Sequence, residues 1–140
     1  MFYVILVSHG NFASGLHSAA KMIAGDRNNV LSISLKSDMS GDEYTHNFKN
    51  LISALTPADK IIILADIIGG SPLTIALKAL SDRGLLGSTR AFGGMNLPLA
   101  LTVILSGENA FSEDPQALLN DAKDSLQEFI LDTDQADEDI

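Results

Sequence analysis

The chain has 140 residues, 46% of them hydrophobic and 19% charged, a balance that suits one globular domain and excludes a disordered polymer. Its 18 acidic side chains against 9 basic ones leave a formal charge of −9, which disfavours nucleic acid and anionic membrane surfaces as partners. With no cysteine, disulfides, thiolate metal sites and cysteine nucleophiles are excluded, and a reducing, cytoplasmic location is the expectation.

The first apolar run, residues 2–8, lacks basic flanks and is too short for a leader or a membrane span, so it reads as a buried strand. A helix over 13–24 follows, with Gly25 placed to end it. Residues 30–35 alternate apolar side chains with Ser32 and Ser34, the pattern of a strand near a sheet edge. Ser40 and Glu43 are spaced as a capping box for a helix reaching about residue 55, just before Pro57. The run Ile61-Ile62-Ile63-Leu64 marks a central strand over 60–65, buried on both faces. Ser71 and Pro72 then predict an N-cap and first turn for a helix to about 81.

A weaker strand, 88–92, leads through Gly93-Gly94 to Pro98 and a helix over 97–106 that is apolar on nearly every side. Such a helix needs cover beyond the sheet. The expected candidates are the last helix, which starts near Pro115 and offers Ala117, Leu118, Leu126, Phe129 and Ile130, or a second subunit. Residues 127–131 read as the end of that last helix.

Alternating strands and helices predict a three-layer α/β sandwich with a parallel sheet. Placing the first strand centrally, with right-handed crossovers, gives the order 2-1-3-4. The crevice between strands one and three is then the switch point, where open α/β sheets bind ligands.

Three strand-to-helix loops converge there: Ser8-His9-Gly10-Asn11, Asp66 through Pro72, and Gly93 through Pro98. His9 ends a buried strand, and neutral imidazole keeps one unprotonated nitrogen for reversible phosphoryl transfer near neutral pH. Asp66, at the end of the neighbouring strand, is placed to orient that ring. Gly69-Gly70-Ser71-Pro72 precede a helix N-terminus, where free N–H groups and the helix dipole favour a phosphate. Ser71 is expected to add its hydroxyl, Gly10 and Asn96 to shape the rim, and His17 and His46 to be surface or boundary residues. No His, Asp or Glu cluster has metal-ligand spacing, so neither a metal nor a cofactor is expected.

These motifs together, Val7-Ser8-His9-Gly10, Asp66 with Gly69-Gly70-Ser71-Pro72, and Gly94-Met95-Asn96-Leu97-Pro98, resemble the enzyme IIA domain of the mannose-family sugar phosphotransferase system. The resemblance covers about residues 1–130. It implies that His9 accepts phosphate from the phosphocarrier HPr and passes it to an enzyme IIB component, with Asp66 bonded to the histidine and Ser71 beside the phosphoryl group. It also implies a homodimer that exchanges a short antiparallel C-terminal strand, for which 127–131 is the matching segment, and a membrane link only through IIC and IID components. The carrier domain is expected over 1–131, and 132–140 as an acidic, disordered tail with IIB on a separate chain or subunit. Asn11 and Ile68 stand where some members carry aromatic residues, which predicts a different partner-facing rim.

Two alternatives stay open: the phosphocarrier subunit of a dihydroxyacetone kinase, and a non-enzymatic phosphate-sensing module. A histidine phosphatase is disfavoured, because Ser8 occupies the position where those enzymes need an arginine.

Overall fold

The computed structural model describes residues 1–132. Strands β1 (Phe2–His9), β2 (Val30–Leu35), β3 (Lys60–Ala65) and β4 (Thr89–Phe92) form one sheet in the order β2-β1-β3-β4, every pair parallel. The order matches the expectation. Helices α1 (Phe12–Ala24), α2 (Gly41–Leu51), α3 (Ser71–Asp82), α4 (Leu97–Ser106), α5 (Asn109–Ser112) and α6 (Pro115–Asp124) cover its two faces.

The continuous apolar runs of β1 and β3 follow from that double cover. Val4, Leu6, Ile62 and Leu64 point into one core with Leu16, Leu99, Val103 and Leu118, from α1, α4 and α6. Ile5, Val7, Ile61 and Ile63 point into the other with Phe48, Leu73 and Leu80, from α2 and α3. Truncating Phe48, fully buried there, would cost about 3–5 kcal/mol.

Three expectations are corrected. The helix expected to reach residue 55 stops at Leu51, because the Arg83 guanidinium takes the carbonyls of Ile52 and Leu55 and satisfies them outside a helix. Residues 127–131 do not extend the last helix, which ends at Asp124 with Ser125 as its C-cap. The cover of α4 is also narrower than expected. Leu118 and Ala122 of α6 supply it, whereas Ala117, Leu126, Phe129 and Ile130 are exposed. Apart from Asp132, the tail expectation for 132–140 lies outside the described residues.

Candidate functional site

The ladder between β1 and β3 ends by setting His9 beside Asp66. The Asp66 N–H donates to the carbonyl of Val7, which continues the parallel pairing one residue past β3. Asp66 Oδ2 then accepts from the His9 main-chain N–H at 2.9 Å and lies 2.8 Å from His9 Nδ1, while Oδ1 accepts from the Ile67 N–H at 2.8 Å. The Asp66 side chain is 12% exposed and that of His9 is 47% exposed.

Burial pushes the Asp66 carboxyl up. The hydrogen bonds from the His9 N–H, the His9 ring and the Ile67 N–H outweigh it and hold the group below the usual carboxylate range. An ionised carboxylate accepts only, so the proton of a neutral His9 ring sits on Nδ1 and the lone pair on Nε2. Nε2 is thus the nitrogen free to act as a nucleophile. That is the chemistry of this pair.

The surrounding loops hold this geometry by backbone means. Gly10 takes a positive φ of 54° and donates its N–H to Leu35 of β2, turning the chain sharply away from the strand end. Gly69 takes φ 77° in a turn closed by the Gly70 N–H donating to the Ile67 carbonyl. At Gly70 a Cβ would lie 3.3 Å from His9 Cε1, so glycine makes room for the ring. Gly93 lets the third loop rest on the second, since a Cβ there would fall 2.4 Å from Ile68 Cβ and 2.7 Å from its Cα.

Ser71 is not the N-cap that the sequence suggests. Gly70 holds that position, extended and with no side-chain cap bond, and Ser71 and Pro72 are the first residues of α3. The turn through Gly69 moves the helix start back by one residue and leaves the Ser71 hydroxyl unspent. His9, Gly10, Asn11, Leu35, Lys36 and Ser71 are among the residues lining an open cleft of about 790 Å³. Pro72 is buried, and its carbonyl accepts from the Tyr44 hydroxyl at 2.8 Å.

Asn96 does not line the cleft. Its Oδ1 caps α4 at the Leu99 N–H and its amide donates to Ala122 of α6, so both ends of the side chain are engaged in bracing. His17 lies at a boundary, half-buried with Nδ1 2.8 Å from Ser32 Oγ, and His46 meets Asn50 on the surface of α2.

Sequence reasoning passed over three residues that shape the site. Ser8 is fully buried and its Oγ accepts from the Ala13 N–H at 2.6 Å, fixing the start of α1 beside His9. Tyr44 ties α2 to the start of α3. Burial, and next the charge of Asp66, raise its phenol well above the ordinary value, which keeps it a donor. Its i, i+4 spacing with Phe48 is a pattern of burial, but nothing in that spacing points to the Pro72 carbonyl. Gly93 stood in plain view as one of two glycines, and only the proximity of Ile68 explains it.

An oriented imidazole at the switch point of a parallel α/β sheet, beside an unspent hydroxyl and a helix N-terminus, is equipped for group transfer. Residues 3–122 match the family EIIA-man, described as the PTS system fructose IIA component, and the chain belongs to that family of phosphotransferase components of sugar uptake. The fructose-specific EIIA component of Bacillus subtilis is 25% identical over 128 residues, 91% of this chain and 84% of that protein. The PTS IIA protein associated with the fucose utilization operon of Streptococcus pneumoniae is 30% identical, with a TM-score of 0.76 over 91% of this chain and 92% of that one. The mannose/sorbose-specific IIA subunit of Enterococcus faecalis, at 21% identity, shares the fold with a TM-score of 0.78 over 93% of this chain and 96% of its own.

Proposed function

We propose that the chain is a phosphocarrier that accepts a phosphoryl group from phospho-HPr on His9 Nε2 and passes it to an enzyme IIB component. The observation that carries this is the 2.8 Å contact between His9 Nδ1 and Asp66 Oδ2, with the ring otherwise open to solvent. The Nε2 lone pair attacks phosphorus in line with the donor's N–P bond. As the new N–P bond forms, the old one breaks and its electron pair returns to the donor imidazole. Asp66 keeps the Nδ1 proton in place and stabilises the positive charge that gathers on the ring. The N–H groups at the start of α3 and the Ser71 hydroxyl receive the phosphoryl oxygens. Onward transfer is the same displacement with an acceptor on IIB as nucleophile, so no cofactor is consumed.

The setting we propose is the cytoplasm, with the membrane reached only through IIC and IID components. No helix among the described residues is long and apolar enough to cross a membrane. A homodimer belongs to this proposal, with the segment 127–131 crossing between subunits. The exposed Phe129, Ile130 and Leu131 support it, since apolar side chains in a row call for cover.

Incubation with phosphoenolpyruvate, enzyme I and HPr should add one phosphoryl group by intact mass, acid-labile and alkali-stable, and His9→Ala should add none. Phosphate recovered on a serine, or retained in His9→Ala, would end the proposal.

A further inference from the structure

Resting on that phosphocarrier reading, we infer that Lys36 is the cation that contacts the phosphoryl group while it moves onto His9. Lys36 follows the last residue of β2. In the parallel ladder Leu35 is the partner of His9, on a strand about 4.8 Å away, and its carbonyl accepts from the Gly10 N–H. Lys36 is therefore the next residue along the strand beside the nucleophile, and it is among the residues lining the cleft that His9 and Ser71 line.

Of the other cations of the fold, all but Lys123 are engaged elsewhere, and Lys123 sits in the last turn of α6 and does not line the cleft. Lys21 pairs with Asp26, Lys49 and Lys78 with Asp82, and Lys60 with Glu108. Arg27, Arg83 and Arg90 donate to main-chain carbonyls. Among the described residues Lys36 is exposed, has no carboxylate partner, and is the one lysine or arginine lining the cleft.

The electrostatics favour such a group. The transferred phosphoryl is anionic, the chain carries −9, and the cleft meets it with Asp66 behind the ring and Asp38 on its lip. An ammonium on a flexible stem reaches the equatorial oxygens from the β2 side, opposite the N-terminus of α3, and stabilises the charge spread over them in the transition state. The reaction balance is unchanged: one N–P bond forms at His9 Nε2 as the donor's breaks, and Lys36 exchanges no proton.

The test uses the full chain and two donors, phospho-HPr and the small molecule phosphoramidate, which has no protein surface to dock. Single-turnover loading of His9 is measured for wild type, Lys36→Gln and Lys36→Arg, with circular dichroism confirming that each variant is folded. Lys36→Gln should lower the maximal rate roughly 10- to 100-fold with both donors, less than the loss of a donor in a dry oxyanion hole, because this cleft is wet. Lys36→Arg should stay within about threefold of wild type, since it keeps the charge. Lys36→Gln loading within twofold of wild type from both donors would overturn the inference. So would a loss confined to the KM for phospho-HPr and absent with phosphoramidate, which would make Lys36 a docking residue. Wild type taking no phosphate at all would instead refute the phosphocarrier reading before any variant is compared.

Discussion

Asp66 engages its two carboxylate oxygens with three donors, and two of those donors belong to His9. Replacing Asp66 by asparagine turns one of those oxygens into an N–H donor, which can present itself to Nδ1 and leave the proton on Nε2. Loading of Asp66→Asn should therefore slow by more than tenfold, short of the roughly 10⁴-fold loss seen in a buried triad, in a stopped-time assay with phospho-HPr. The same substitution should change the acid limb of stability. The Asp66 carboxyl lies below its unfolded value, so the folded state binds fewer protons and stability falls as pH drops through the folded pKa. Asp66→Asn should lose less stability than wild type between about pH 5 and pH 2, read by urea denaturation across that range. Ser71 gives a complementary case. It caps nothing with its side chain, so Ser71→Ala should shift stability by no more than about 0.5 kcal/mol while still slowing loading. Ser71→Asp, which puts a charge where the proposed transfer seats the phosphoryl group, should slow it further. A large stability loss in Ser71→Ala would mean that the hydroxyl braces the helix start.

Elements were legible in proportion to how much of their signal is local. The residue types of β1 and β3 mark their extents because parallel strands buried on both faces need near-continuous apolar runs, and the alternation with Ser32 and Ser34 marks β2 as the half-buried edge strand. The start of α2 was equally plain, and Ser40 Oγ accepts from the Glu43 N–H as the capping box requires. Its end was not, because Arg83 lies far along the chain and no local pattern reports a guanidinium on the Ile52 and Leu55 carbonyls. The start of α3 failed for a related reason: Ser-Pro is a good cap in isolation, and the Gly69 turn overrides it. The loops carry the sharper prediction. Gly93→Ala would drive a Cβ into Ile68 backbone and should cost about 1–3 kcal/mol by thermal or urea unfolding, whereas Gly84→Ala meets no atom and should cost only the strain of its φ of 70°. Equal losses in the two variants would show that the Gly93 contact does not matter.

At the scale of the whole molecule, alternation of elements and right-handed crossovers were enough to give the order β2-β1-β3-β4, and that order alone places His9 next to Asp66. What the pattern did not reveal is which apolar side chains the domain leaves outside. Leu126, Phe129, Ile130 and Leu131 are all exposed, although the first three had been expected to pack on α4. If 127–131 crosses to a second subunit, truncation from residue 127 should turn a dimer into a monomer by sedimentation at micromolar concentration, and removal of 133–140 should leave the dimer intact. A monomeric full-length chain would remove the dimer from the account without touching the site.

In the proposed transfer one atom, His9 Nε2, is the nucleophile, because Asp66 holds Nδ1. Nitrogen NMR of the histidine-labelled chain after loading by phospho-HPr reads that atom directly. Coupling of phosphorus to Nε2 of His9, absent in His9→Ala, is the result expected. Phosphorus on Nδ1 of His9, or on His17 or His46, would contradict it.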